Sequence, residues 1–201
     1  VTAIAVVDHG AGNLVSMEQA LVHVGARPTR VSEATDLDEF DGVILPGVGA
    51  TGAAMRTLRR TGLDQALRDH HRPMFAVCVG MQLLFDWSEE DGTTCLGLMR
   101  GAVRKVRAAP LPHMGWNDVD GDDPLLEPSP TPFYFVHSYV PRPDDPAVVV
   151  GTTRYGEDTF ASVVRSGDVV GAQFHPERSG SAGLAVLDRF VRACAGAARA
   201  A

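Results

Sequence analysis

Cysteine, basic charge and long apolar runs are all scarce in this chain of 201 residues. Its three cysteines, Cys78, Cys95 and Cys194, are an odd number without C-x-x-C spacing, which argues against a disulfide framework or a cysteine zinc site. A reducing, cytoplasmic setting is the default that follows. Lysine and arginine total 18 against 25 aspartates and glutamates, a formal net charge of -7, so the broad basic footprint that nucleic acid or an anionic membrane needs is missing. The longest apolar runs, such as AIAVV and PMFAVCVGMQLLF, fall short of the roughly 20 residues that span a bilayer. No basic leader precedes the first, and a secretory signal is not expected. Charged blocks, low-complexity tracts and repeats are absent too, and 45% hydrophobic with 21% charged residues is an ordinary globular balance. A single domain spanning 1–201, with one sizeable core, is the simplest organisation.

What is present is an alternation of strand and helix patterns. Thr2 to Asp8 (TAIAVVD) is a β-branched run that ends in a glycine-rich turn, and Ser16 then caps an amphipathic segment that stops at Gly25. Thr29 to Ser32 forms a short strand, Asp41 to Leu45 a buried one, and Gly52 to His71 helical material broken at Gly62. Met74 to Val79 follows as a strand that runs directly into the helical MQLLFDWSEE. Such alternation predicts an α/β fold with a mostly parallel, doubly wound sheet. In the C-terminal half GAVRKV, FYFVHSYV, AVVVGTT and ASVVRSGDVVGAQF follow one another with turn residues between them, which predicts antiparallel strands added to that sheet. An amphipathic helix over 183–201 closes the chain.

Cys78 lies at a strand-to-helix junction, with Ala76 two residues before it and Gly80 two after. Small residues on both sides are what a nucleophile elbow needs, because its tight turn leaves no room for larger side chains. A helix start would also favour thiolate over thiol. The spacing alone leaves two readings open, since free cysteine is also among the most buried residue types. A base decides between them, and Gln173-Phe174-His175-Pro176-Glu177 supplies a candidate. In an extended segment His175 and Glu177 point to the same side, so the carboxylate could hold the imidazole of a Cys-His-Glu triad. Leu45-Pro46-Gly47-Val48-Gly49 is a second glycine-rich turn past a buried strand, placed to offer backbone N–H groups to an oxyanion.

Taken in order, ILPGVGA, AVCVGMQLLF, LPHMGWN, FVHSY and QFHPERSG resemble the class I glutamine amidotransferases, and more narrowly the glutaminase subunits of imidazole glycerol phosphate synthase. The resemblance covers essentially the whole chain. It implies the flavodoxin-like amidotransferase fold and hydrolysis of L-glutamine through a glutamyl thioester on Cys78, with His175 and Glu177 completing the triad. It assigns the oxyanion hole to backbone at Val79, Val48 and Gly49, with a Gly47–Val48 peptide that must reorient first. Substrate contacts fall to Gln82, Gly47, Ser138 and Tyr139. The implied partner is a (β/α)8-barrel cyclase that receives the ammonia and forms imidazole glycerol phosphate and AICAR in histidine biosynthesis. Asn13, His113, Met114, Trp116 and Arg178 match family positions at or near that interface. No cofactor, metal, nucleic acid or membrane is implied.

Three residues depart from the family pattern. Arg178 stands where lysine is common, Ala76 where glycine is frequent and Thr51 where phenylalanine is frequent. Arginine keeps the charge but changes donor geometry. A glutaminase serving another synthase, of the anthranilate or pyridoxal phosphate type, is the alternative enzyme, and a thiol sensor on the same fold is the non-catalytic one. His70 and His71 are expected in a solvated helix end, Cys95 and Cys194 as inert packing, Asp8 in a capped turn and the acidic run Asp36 to Glu39 on an exposed helix face.

Overall fold

The computed structural model describes residues 1–34, 37–127 and 129–200, without the side chains of 198–200. The first unit is β1 (Ala3–Val7), α1 (Leu14–His23) and β2 (Arg27–Val31). Then come β3 (Gly42–Leu45), α2 (Thr51–Thr61), α3 (Leu63–Arg68), β4 (Met74–Val77) and α4 (Val79–Leu83). The second half holds β5 (Trp87–Ser88), β6 (Thr93–Thr94), β7 (Gly101–Lys105), β8 (His113–Gly121), β9 (Thr131–His137) and β10 (Tyr139–Pro143). It ends with β11 (Val149–Tyr155), β12 (Asp158–Ser166), β13 (Val169–Ala172) and α5 (Gly180–Ala200).

Nine strands form one sheet in the order β2-β1-β3-β4-β13-β12-β11-β8-β9. The five from β2 to β13 are parallel, and the other four antiparallel. Burial follows pairing: β3 and β4 are buried at every position, as strands covered on both faces must be, whereas β9 alternates between buried and partly exposed. α1 packs against α5, and α2 against α3 and α4. Phe75, Phe133, Phe135, Phe160 and Phe174 are at most 2% exposed and fill the core around the sheet.

Several boundaries differ from the expectations. α1 begins at Leu14, so Ser16 lies inside its first turn and Asn13 takes the cap position without a side-chain cap bond. The helix after Cys78 is only five residues long. It stops because the carbonyls of Leu83, Leu84 and Phe85 accept from N–H groups of residues 96–99, leaving none to continue the helical ladder. Trp87 and Ser88 then enter a second, four-stranded sheet, β10-β7-β5-β6, which the strand pattern did not separate from the first. FYFVHSYV is likewise two strands. The chain changes sheets at Ser138, whose carbonyl accepts from Val106 N–H.

His70 is not solvated. Its side chain is fully buried, with Nδ1 2.7 Å from Asp38 Oδ1, and burial lowers its pKa despite that carboxylate. Leu37–Glu39 is a single 3-10 turn, while Asp36 lies outside the described residues.

Candidate active site

β4 and β13 are adjacent parallel strands with Val77 level with Ala172, so the residues just past their ends meet although nearly 100 positions apart in the chain. Cys78 follows one strand and His175 the other. The Cys78 N–H donates to the Ala172 carbonyl at 2.7 Å, and its backbone turns at φ 55, ψ -109. Among the described residues it is the single non-glycine at positive φ. Such strain persists only where the surroundings hold it. Here they do: a Cβ at Gly80 would collide with the Leu45 carbonyl, and one at Gly47 would sit 2.9 Å from Gly80 N. Ala76 is fully buried between Leu45 and Gly171, so its methyl group is accommodated.

His175 Nδ1 lies 3.0 Å from Glu177 Oε1, with both side chains only 3% exposed. The intervening segment is a 3-10 turn rather than extended, and it still directs the two side chains together. The turn is pinned to β9, since His175 N–H donates to Tyr134 O at 2.9 Å and Ser179 Oγ donates to His175 O at 2.6 Å. Nε2 is buried, and with Nδ1 on Glu177 it is the nitrogen left to face Cys78. Burial lowers the His175 pKa, but the negative charge of Cys78 and the Glu177 carboxylate outweigh it and raise the value to about 10. Burial pushes the thiols of Cys95 and Cys194 up, to about 11 and about 12, which keeps them unreactive.

The expected oxyanion pair is not assembled. Val79 N–H donates to the Gly47 carbonyl at 3.3 Å. In a trans peptide the carbonyl and the following N–H point in opposite directions, so the N–H of Val48 is turned away from Val79. The turn is anchored from behind by buried His9, whose Nε2–H donates to Pro46 O at 2.7 Å.

A cavity of about 140 Å³ opens over the sulfur, lined by Val48, Gly49, Cys78, Val79, Gln82, Glu90, Val136, His137, Ser138 and Tyr139. That size suits one small metabolite rather than a nucleotide. Gln82 Nε2 donates to Tyr139 O at 3.0 Å and reaches Gln173 Oε1 at 3.3 Å, while Gln173 Nε2 donates to Cys78 Sγ at 3.6 Å. Of the expected site residues, Cys78, Val79, Val48, Gly49, Gln82, Ser138 and Tyr139 line the cavity, whereas Gly47, His175 and Glu177 are not in its lining. Gln173, Glu90 and His137 were missed. Gln173 stands beside the HPE segment, a signal that could have been used, whereas Glu90 sits in a run read as helix. Burial and the neighbouring charge of Asp91 raise the pKa of Glu90 against the opposing hydrogen bond from Thr51 N–H at 3.1 Å. Thr51, the departure at this point, is fully buried and donates from Oγ1 to Ser88 Oγ at 2.8 Å.

Of the five expected interface residues, Asn13 and Arg178 are exposed, as are Met114 at 62% and Trp116 at 58%. Trp116 meets the Tyr134 ring edge-on at 6.3 Å, and the Arg178 guanidinium lies 4.4 Å from the same ring. His113 turns inward and is 3% exposed. Among the described residues no three His, Cys, Asp or Glu side chains gather to hold a metal ion, and no helix is long and apolar enough to cross a membrane.

A strained cysteine elbow with a His-x-Glu pair just past the end of the neighbouring strand of such a sheet defines a class-I glutamine amidotransferase, and the chain belongs to that family. The family model "Glutamine amidotransferase class-I" matches residues 5–194. Within the family it falls among the HisH subunits of imidazole glycerol phosphate synthase. It is 41% identical to the HisH of Synechococcus sp. (strain JA-3-3Ab), covering 94% of this chain and 92% of that protein. It is also 41% identical to the HisH of Dehalococcoides mccartyi (strain ATCC BAA-2266 / KCTC 15142 / 195), over 96% and 98% of the two. The fold is similar to that of a putative GMP synthase protein from Thermoplasma acidophilum, with a TM-score of 0.76 at 19% identity over 99% and 96% of the chains. PurLQS from Thermotoga maritima is similar at a TM-score of 0.74 and 20% identity, over 95% and 98%.

Proposed function

We propose that this chain, as one amidotransferase domain over 1–201, is the glutaminase subunit of imidazole glycerol phosphate synthase in cytoplasmic histidine biosynthesis. It hydrolyses L-glutamine to glutamate and ammonia. The observation that carries this reading is the strained Cys78 just past the end of β4, with the His175–Glu177 pair just past the end of the adjacent β13.

The sulfur of Cys78 attacks the side-chain amide carbon of glutamine, and His175 Nε2–H protonates the departing ammonia, leaving a glutamyl thioester. Once the sulfur is acylated, its negative charge is gone. A cause that raised the His175 pKa is then removed, so the ring can take a proton from water and direct the hydroxide at the thioester. Glu177 holds the ring tautomer throughout. At the other end of the substrate, the Glu90 carboxylate in the pocket wall complements the α-ammonium group, and the Tyr139 and Ser138 segment closes the opposite side.

Turnover needs the Gly47–Val48 peptide to rotate, which frees Val79 N–H and brings in Val48 N–H. Glycine at 47 and at 49, where φ is 83, makes that rotation accessible. The partner that favours the rotated state is a (β/α)8-barrel cyclase, which docks on the surface bearing Asn13, Met114, Trp116 and Arg178 and receives the ammonia. Adding that cyclase with its nucleotide should stimulate glutamate release by the purified chain, and Cys78→Ala should abolish it. Undiminished turnover by Cys78→Ala would remove the assignment.

A further inference from the structure

At the pocket wall, β8 and β9 bring two buried histidines together at the register pair His113 and His137, of which His137 lines the cavity. Their contacts form an unbroken line. Asn117 Nδ2 lies 3.2 Å from His113 Nε2, His113 Nδ1 lies 3.0 Å from His137 Nε2, and His137 Nδ1 lies 3.1 Å from Tyr139 O. The two ends determine where the hydrogens sit. A carbonyl only accepts, so His137 carries its hydrogen on Nδ1 and offers a lone pair at Nε2. His113 therefore donates from Nδ1 and accepts at Nε2. Asn117 meets that demand in the one orientation open to it: Nδ2 also donates to Arg154 O at 2.9 Å, and Oδ1 accepts from Asp118 N–H at 2.9 Å. An added proton would set N–H against N–H somewhere along the line.

Burial separately holds both rings neutral, moving His113 down to about 4 and His137 to about 3. The line does not stop at Tyr139. The same carbonyl accepts from Gln82, which contacts Gln173, which donates to the Cys78 sulfur. We propose that His113 and His137 are positioning residues for the glutaminase reaction: their one-way hydrogen-bond relay holds the Tyr139 carbonyl, and through it Gln82 and Gln173, in the geometry that receives L-glutamine. The inference rests on the glutaminase reading. It also gives the buried His113 a task distinct from its exposed strand neighbours Met114 and Trp116.

Two measurements keep failure of the relay separate from failure of the glutaminase reading. Long-range proton–nitrogen NMR on the histidine-labelled full chain at neutral pH reports ring tautomers without any turnover. The Nδ1–H form is expected at both positions, and an Nε2–H form or an imidazolium at either overturns the relay. The second measurement is kinetic, in the complex with the cyclase. His113→Phe keeps a ring to stack on Tyr155 and Phe135 but removes the donor. Glutamine KM should rise about tenfold while kcat stays within about twofold. His113→Asn, which can donate from the Nδ1 place, should restore KM. An unchanged KM in His113→Phe, a loss confined to kcat, or no rescue by asparagine overturns the proposal.

Discussion

Gly80 has no space for a side chain against the Leu45 carbonyl, and Cys78 beside it keeps a positive φ because the rest of the turn is immobile. Gly80→Ala should therefore lower stability by more than about 2 kcal/mol. A urea midpoint equal to that of the wild type would refute this account of the elbow. Glu177→Gln tests the charge that helps raise His175: the side chain keeps its size but stops stabilising the imidazolium. Turnover should fall by the order of a thousandfold, with the melting temperature retained. Activity within tenfold of the wild type would mean that Glu177 does no more than pack. At this scale Cys78, His175 and Glu177 were legible in the sequence, because the elbow and the His-x-Glu pair are local patterns. Glu90 was not, since its role arises from what lies across the pocket, and Gln173 was signalled only by its place beside the His-x-Glu pair.

At the scale of elements, α2 shows how a helix start can be satisfied from a distance. Its cap position is Ala50, which offers no side-chain oxygen, and carboxylates of the β5–β6 turn replace it. Glu90 accepts from Thr51 N–H, and Asp91 accepts from Gly52 N–H at 3.0 Å. Asp91→Ala should cost about 1 kcal/mol, the usual worth of a lost cap and a first-turn charge, read as a lower urea midpoint. No change would show that water replaces the carboxylate fully. β1, β3 and β4 were readable because strands buried on both faces are continuous apolar runs. The α2–α3 break was readable because Gly62 takes φ 74. The early end of α4 and the sheet change at Ser138 were hidden. Both depend on acceptors and ladders contributed by segments distant in the chain.

Across the whole molecule, buried titratable groups give stability a direction with pH. His113 and His137 have folded pKa values of about 4 and about 3, below the ordinary histidine value, so the unfolded chain takes up their protons first. Their contribution is complete above the unfolded value, about pH 6.5, and is lost as pH falls toward the folded values. Asp123 and Asp158 act in the same direction at lower pH. Burial raises their pKa values, but Arg165 with Leu125 N–H, and Arg107 N–H with Arg142, lower them further. The urea midpoint should thus fall from pH 7 to pH 4, and His113→Phe should flatten that fall. A flat wild-type profile would contradict the neutral pair. The proposed complex adds a second test at this scale: Trp116→Ala should weaken cyclase binding by about tenfold or more and leave the melting temperature of the isolated chain unchanged. Equal affinity would move the interface elsewhere.

By itself the sequence determined the parallel half of the sheet and the family, and it singled out Cys78, His175 and Glu177 as candidate nucleophile, base and orienting carboxylate, because each rests on short-range spacing. Tertiary structure alone decided the rest. It put β13 beside β4, so that residues distant in the chain meet. It turned the Gly47 carbonyl onto Val79 N–H, and it set the direction of the Asn117–His113–His137 line. Those outcomes depend on which carbonyl faces which N–H across strands, and spacing along a chain carries no record of that.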